Sequence, residues 1–221
     1  MILTTQALHF KYPQGESFRF PDLAIAAGEK ILIMGPSGCG KSTLLSLISG
    51  ALPLQSGDIT LTGTTYRMLR GTALDRMRAD HLGVIFQTLN LIPYLTGYQN
   101  AALGLQFSAI RRRRVLKPSD EIHRLARALG LSQQHLDSQA RALSIGQQQR
   151  IAVIRALLGR PELILADEPT SALDPKSTER FIQELLGSFD PSTQGMILVS
   201  HNPALQPFFD RVIKLKGPQD V

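Results

Sequence analysis

Short, unbroken apolar runs recur along the chain, each followed by a polar, glycine-containing turn. The runs are residues 30–34 (KILIM), 83–86 (GVIF), 163–166 (LILA), 196–199 (MILV) and 212–215 (VIKL). Four or five consecutive apolar positions without alternation predict strands buried on both faces, as in a parallel α/β sheet. Residues 2–20 and 58–61 alternate more and carry more turn residues, which predicts an antiparallel β portion over about 1–30 and 58–82. From residue 88 to 158 the spacing turns helical and no strong strand signal remains, which predicts a helical subdomain of about 88–158 inserted into an α/β core. One domain of 221 residues accommodates all of this.

Composition narrows the class. A hydrophobic share of 43% and a charged share of 19% describe an ordinary globular chain. No apolar stretch approaches the roughly 18 residues a spanning helix needs, and the first residues lack the basic-then-apolar order of a signal peptide. A single cysteine, Cys39, rules out an internal disulfide and fits a reducing compartment. These features together predict a cytoplasmic chain. The formal charge of +6 is partly local, because Arg111, Arg112, Arg113 and Arg114 are consecutive. A run of this kind is read first as a solvated face and second as a contact for anionic lipid headgroups. No nucleic-acid partner is expected.

Candidate chemistry begins at Gly35-Pro36-Ser37-Gly38-Cys39-Gly40-Lys41-Ser42-Thr43, which matches G-x-x-x-x-G-K-[ST] between a strand and an apolar helix. Small residues let backbone N–H groups turn onto phosphate oxygens, and the helix points its positive end at the same anion. Lys41 then reaches the β- and γ-phosphates of ATP, and the Ser42 hydroxyl ligates Mg²⁺. Cys39 is read as a small filler whose alkylation would block the pocket. The run 163–168 (LILADE) ends a buried strand in two acids. Asp167 is placed to hold Mg²⁺ and Glu168 to polarise the attacking water.

A second anion cradle follows the helical region, at Leu143-Ser144-Ile145-Gly146-Gln147. Ser144 can cap a helix running from about Gly146 to Leu158, and a hydroxyl, a glycine amide and a helix N-terminus together suit a γ-phosphate. One nucleotide does not need two such cradles from one chain.

This stretch resembles the signature of the ABC (ATP-binding cassette) family, usually Leu-Ser-Gly-Gly-Gln, with Ile145 in place of the first glycine. Ile145 predicts a tighter backbone or a side chain turned away from the ligand, with reduced but real activity. The resemblance covers essentially the whole chain and implies a P-loop ATPase fold in which two copies sandwich two ATP. It implies that Gln87, ending a strand GVIFQ, touches Mg²⁺ and the water. Ser171-Ala172-Leu173-Asp174 resembles the loop that crosses the dimer interface. His201 resembles the switch histidine at the γ-phosphate, and Tyr12 the aromatic that stacks on adenine. The run 86–96 (FQTLNLIPYLT) resembles the ATPases of lipoprotein release, macrolide export and cell division. It implies a separate membrane permease docked beside Gln87, with Leu91, Ile92, Pro93, Tyr94 and Leu95 as apolar contacts, and a peripheral place on the inner face of the cell membrane. Gln99 stands where that subfamily has glutamate. The chain's early end after the last strand is expected to leave no room for the C-terminal regulatory domain of sugar-importer ATPases. Two rival readings stay open: a soluble ABC ATPase serving cytosolic partners such as an iron–sulfur assembly scaffold, and a catalytically silent regulator.

Overall fold

The apolar runs assemble into one five-stranded sheet in the computed structural model, which describes residues 1–13, 15–171 and 173–217. Its strands are β4 (Lys30–Met34), β7 (Leu82–Ile85), β8 (Leu163–Asp167), β9 (Gly195–Val199) and β10 (Arg211–Lys214), in the order β10-β4-β9-β8-β7. Every neighbouring pair is parallel. Every residue of β9 is buried, which is why its sequence shows no alternation. Two strand ends shift from the expected positions. Phe86 lies beyond β7, and Leu215 beyond β10.

The alternating segments form a second, antiparallel sheet from β1 (Leu3–Lys11), β2 (Ser17–Arg19), β3 (Leu23–Ile25), β5 (Ser56–Leu61) and β6 (Thr64–Thr65). The pairing of β1 with β5 slips between Gln6 and His9, around Ala7 at φ 48°. Gly57 opposes that bulge at φ 83°, and a Cβ there would fall 2.4 Å from the carbonyl oxygens of both Gln6 and Ala7. Only glycine fits such an approach. The β portion stops at Thr65. Residues Thr72–His81 form helix α2 instead, because Leu74 and Met77 are three apart and face inward while the charged residues between them face solvent.

Between Gln87 and β8 the chain is helical: α3 (Gly97–Gln106), α4 (Ala109–Arg113), α5 (Pro118–Ala128), α6 (Gln133–Asp137) and α7 (Ile145–Leu157). The end of α7 lies directly on the parallel sheet, since a Cβ on Gly83 of β7 would meet the Ala156 carbonyl oxygen at 2.3 Å. Helix α1 (Lys41–Ile48) fills the space between the two sheets, and α8 (Pro175–Gly187) covers the opposite face. Two apolar cores result, one on each face of the parallel sheet.

The arginine run is not a uniformly solvated face. Arg111 is 4% exposed. Its guanidinium donates to the carbonyls of Leu82, Arg155, Ala156 and Leu158, tying the C-terminus of α7 to the start of β7. Burial first, then the charge of Arg114, lowers its pKa to about 10, against opposing pulls from Glu162 and Asp80. Arg114 pairs with Glu162 and donates to the Arg160 carbonyl. Arg112 donates to the carbonyls of Leu105 and Gln106, while Arg113 is exposed.

Candidate functional site

Strand β4 delivers the chain into the glycine-rich turn, and the turn delivers it into α1. Gly38 and Gly40 take φ 79° and 92°, and a Cβ on Gly40 would meet the Phe18 ring at 2.6 Å. No side chain caps α1, so its leading N–H groups are left for an anion. Lys41 Nζ donates to the carbonyls of Gly35 and Pro36, both at 2.9 Å. The turn opens on a cavity of about 700 Å³. Tyr12, Gly35, Pro36, Ser37, Gly38, Gly40, Lys41, Ser42 and Thr43 all line it. The Tyr12 hydroxyl lies 3.1 Å from Thr43 Oγ1, and its ring stands edge-on to Phe10 and Phe18.

Cys39 is the one member of the turn that faces away. It is 2% exposed and lies with Phe18, Phe20 and Leu215 behind the turn. Alkylation there would have to open the core, so the expected block of the cavity by a thiol reagent does not follow from its position. Its Sγ packs where a Gly35 Cβ would be, 2.5 Å away, which explains both small residues together.

Of the two acids at the end of β8, Glu168 lines the same cavity and Asp167 does not. Glu168 sits at φ 45°, held by its own N–H donating to the Val199 carbonyl at 3.0 Å. A non-glycine residue at this φ is held by its surroundings, and here it turns the carboxylate toward the cavity. His201 Nδ1 lies 3.0 and 3.1 Å from the two Glu168 oxygens. An ionised carboxylate there accepts from Nδ1–H and orients the ring. Asp167 is different. Its Oδ1 is buried and has no hydrogen-bond partner. Burial is the largest influence and raises its pKa; the Ser42 hydrogen bond and Lys41 pull it down, and Glu168 adds to the rise.

Gln87 also lines the cavity, but from the loop two residues past β7 rather than from a strand. That loop turns through Leu89 at φ 58° and Asn90 at φ 46°. Arg155 of α7 holds both carbonyls, each at 2.7 Å. Beyond it, Asn100 is fully buried and closes the 92–96 turn by bonds to Ile92, Leu95 and Thr96. Leu91 packs into the core and Ile92 and Leu95 are partly buried, so of the five expected apolar contacts only Pro93 and Tyr94 are open to solvent. Gln99 is spent on a capping box with Thr96.

Ser144, Gly146, Gln147 and Asp174 do not line the cavity. Ser144 caps α7 reciprocally with Gln147, whose side-chain oxygen accepts from the Ser144 N–H at 2.9 Å. Ile145 is the first residue of α7 and 59% exposed. It has ordinary helical backbone, so no left-handed strain arises at this substitution. Asp174 caps α8 by accepting from Lys176 and Ser177. Hydrogen bonds from Ser177 lead the causes that lower its pKa. Ala172 lies outside the described residues.

Three contributors escaped the sequence reading. Glu16 and Phe18 line the cavity because pairing of β1 with β2 folds them over it. Gln149, 4% exposed, donates from α7 to the Pro169 carbonyl at 3.1 Å and ties the Ser144 helix to the loop after Glu168. No local signal marks any of the three, since each depends on a long-range pairing.

Comparison with known proteins identifies the family. The chain matches the ABC transporter family over residues 19–171. It is 36% identical over 195 residues to the lipoprotein-releasing system ATP-binding protein LolD 1 of Rhodospirillum rubrum, covering 88% of this chain and 84% of that one. It is 36% identical to an uncharacterized ABC transporter ATP-binding protein of Mycobacterium tuberculosis, of which it spans 58%. The dimeric structure of the bacterial ABC transporter cassette MJ0796 superposes with a TM-score of 0.81 at 32% identity, over 97% of this chain and 94% of that one. A dimeric post-hydrolysis state of the same cassette, bound to ADP and Pi, gives the same values. The chain therefore belongs to the ABC transporter family, as one of its ATP-binding, ATP-hydrolysing cassettes.

Proposed function

We propose that two copies of this chain close around two Mg-ATP and drive a separate membrane permease, in a system of the lipoprotein-release or macrolide-export type. The observation that carries the dimer is the incomplete site. One chain gathers Tyr12, the phosphate turn, Gln87, Glu168 and His201 around one cavity, while Ser144, Gly146 and Gln147 stand outside it at the N-terminus of α7. A second copy supplies them. The dimeric form of the MJ0796 cassette supports this arrangement.

Each residue then has a part. Tyr12 stacks on adenine. The turn from Gly35 to Thr43 cradles the phosphates through its backbone, and Lys41 exchanges the Gly35 and Pro36 carbonyls for the β- and γ-phosphates. Ser42, Asp167 and Gln87 are the residues that would hold Mg²⁺. The orphaned Asp167 Oδ1 beside the Ser42 hydroxyl fits a hard cation that takes few protein oxygens and several from phosphate. A Mg²⁺ held by these residues would supply positive charge against the charge of the phosphates. Glu168 polarises and accepts a proton from the attacking water, and His201, held through Nδ1 as an imidazolium, donates from Nε2–H to the γ-phosphate. Ser144 and Gly146 of the partner close over the same phosphate, and Asp174 fixes the start of α8 at the interface.

The permease reading rests on a groove of about 540 Å³ lined by Val84, Phe86 and Phe107, with Arg76 and Arg155 on its walls. Tyr94 stands exposed on the segment that follows Gln87. A short permease segment seated there would move with the Leu89–Asn90 turn and hence with Gln87. Likeness to LolD 1 supports the lipoprotein-release type. The chain would then sit at the inner face of the cell membrane through its permease. Among the described residues, no helix is long and apolar enough to cross a membrane.

The test compares the parent with Glu168→Gln in Mg-ATP, following phosphate release and particle mass together. The parent should hydrolyse, and the variant should lose about 10² to 10⁴ in rate while accumulating as an ATP-bound dimer. A variant that still hydrolyses at the parental rate removes Glu168 from the chemistry.

A further inference from the structure

Beside the permease groove, the chain from Phe107 to Lys117 makes a rim of unusual composition. Phe107 is 74% exposed, Ile110 36% and Leu116 95%. No acidic residue occurs between Gln106 and Ser119. Arg112, Arg113, Arg114 and Lys117 are exposed there, while Arg111 is turned inward as the anchor of α4. Glu162 neutralises Arg114, which leaves Arg112, Arg113 and Lys117 as the outward cations. Arg113 makes no ion pair among the described residues. It lies three residues after Ile110 on α4, so a cation and an apolar side chain share one face.

We propose that this rim is a contact surface for an anionic lipid bilayer. Exposed aromatic and aliphatic side chains among unpaired cations are the two ingredients of interfacial binding. Apolar groups enter the headgroup boundary, and arginine and lysine meet lipid phosphates. Neither ingredient serves the nucleotide cavity, which this stretch does not line. Burial of Arg111 gives the rim a rigid base, since its bonds to α7 and β7 fix α4 against the core. Phe107 lines the groove assigned to the permease, so the position of the rim beside the bilayer rests on that reading. Its affinity for lipid does not.

Sedimentation of the full chain with vesicles separates the two. Vesicles of phosphatidylglycerol with phosphatidylcholine should carry the protein down, vesicles of phosphatidylcholine alone should not, and added salt should weaken the binding. Arg113→Gln should reduce partition about fivefold, from roughly one headgroup-paired cation. Leu116→Ser should reduce it as well, with phosphate release and melting temperature unchanged in both. Failure to bind the anionic vesicles overturns the proposal, as does a parent and an Arg113→Gln variant that bind equally. If Arg113→Gln leaves vesicle binding untouched but abolishes stimulation by a reconstituted permease, the rim is a protein contact instead. Intact ATP-dependent dimerisation alongside failed vesicle binding would sink the lipid surface and leave the cassette mechanism standing.

Discussion

At the residue scale, Asp167 sits where burial opposes its ionisation. Asp167 is half-buried, its Oδ1 is buried without a partner, and its pKa is raised chiefly by burial. A raised carboxyl costs the folded state stability wherever it is ionised, above the ordinary carboxylate range, and the cost is relieved as pH falls below the folded value. Asp167→Asn should therefore leave the nucleotide-free protein as stable or more stable in thermal melting while abolishing Mg-dependent phosphate release. A marked drop in melting temperature would mean that Asp167 serves the fold instead. Glu162 has the opposite sign. Burial raises it, but hydrogen bonds from His81 and Arg114, with their charges, outweigh that and hold it at about 2. Its stabilising pairs are fully present above the ordinary 4.5 and are lost as pH falls from there to about 2. Melting temperature against pH should consequently fall less steeply through that window in Glu162→Gln than in the parent.

At the scale of elements, α7 connects the parts. Ser144 caps its first turn, its middle holds Pro169 through Gln149, Arg155 holds the Leu89–Asn90 turn, and its last carbonyls receive Arg111. Movement at the Ser144 end is thus linked by direct hydrogen bonds to the loops of Glu168 and Gln87. Arg111→Met should cost about 3 kcal/mol or more in denaturant unfolding, because buried carbonyls lose a charged donor worth about 1.5 to 3 kcal/mol per bond. A cost below about 1 kcal/mol would show that water replaces the guanidinium there. The strands of the parallel sheet were legible because double-sided burial writes itself as an unbroken apolar run. Helix α2 was not, since Leu74 and Met77 give it too little apolar periodicity among its charges. The slip at Ala7 was hidden too, being set by the approach of Gly57 from a strand far along the chain. Arginine in series looks solvated in sequence, and only the tertiary fold shows that Arg111 turns inward.

For the whole molecule, the motifs single out candidate residues scattered along the chain, and the fold brings most of them to one cavity. The sequence could not show that Cys39 faces away from that cavity or that Glu16 and Phe18 face into it. Those orientations come from the packing of the two sheets. Nor could it show that Ile145 begins a helix without strain. Ser144 lies outside the cavity of its own chain, and in the proposed dimer it completes the site of the other copy. The direct measurement places Ser144→Arg in the Glu168→Gln background and follows ATP affinity and particle mass together. The double variant should bind ATP as a monomer with affinity within about twofold of Glu168→Gln, a difference under about 0.4 kcal/mol, and should fail to dimerise. Dimerisation equal to that of Glu168→Gln, or a large loss of ATP affinity in the monomer, would contradict the shared site.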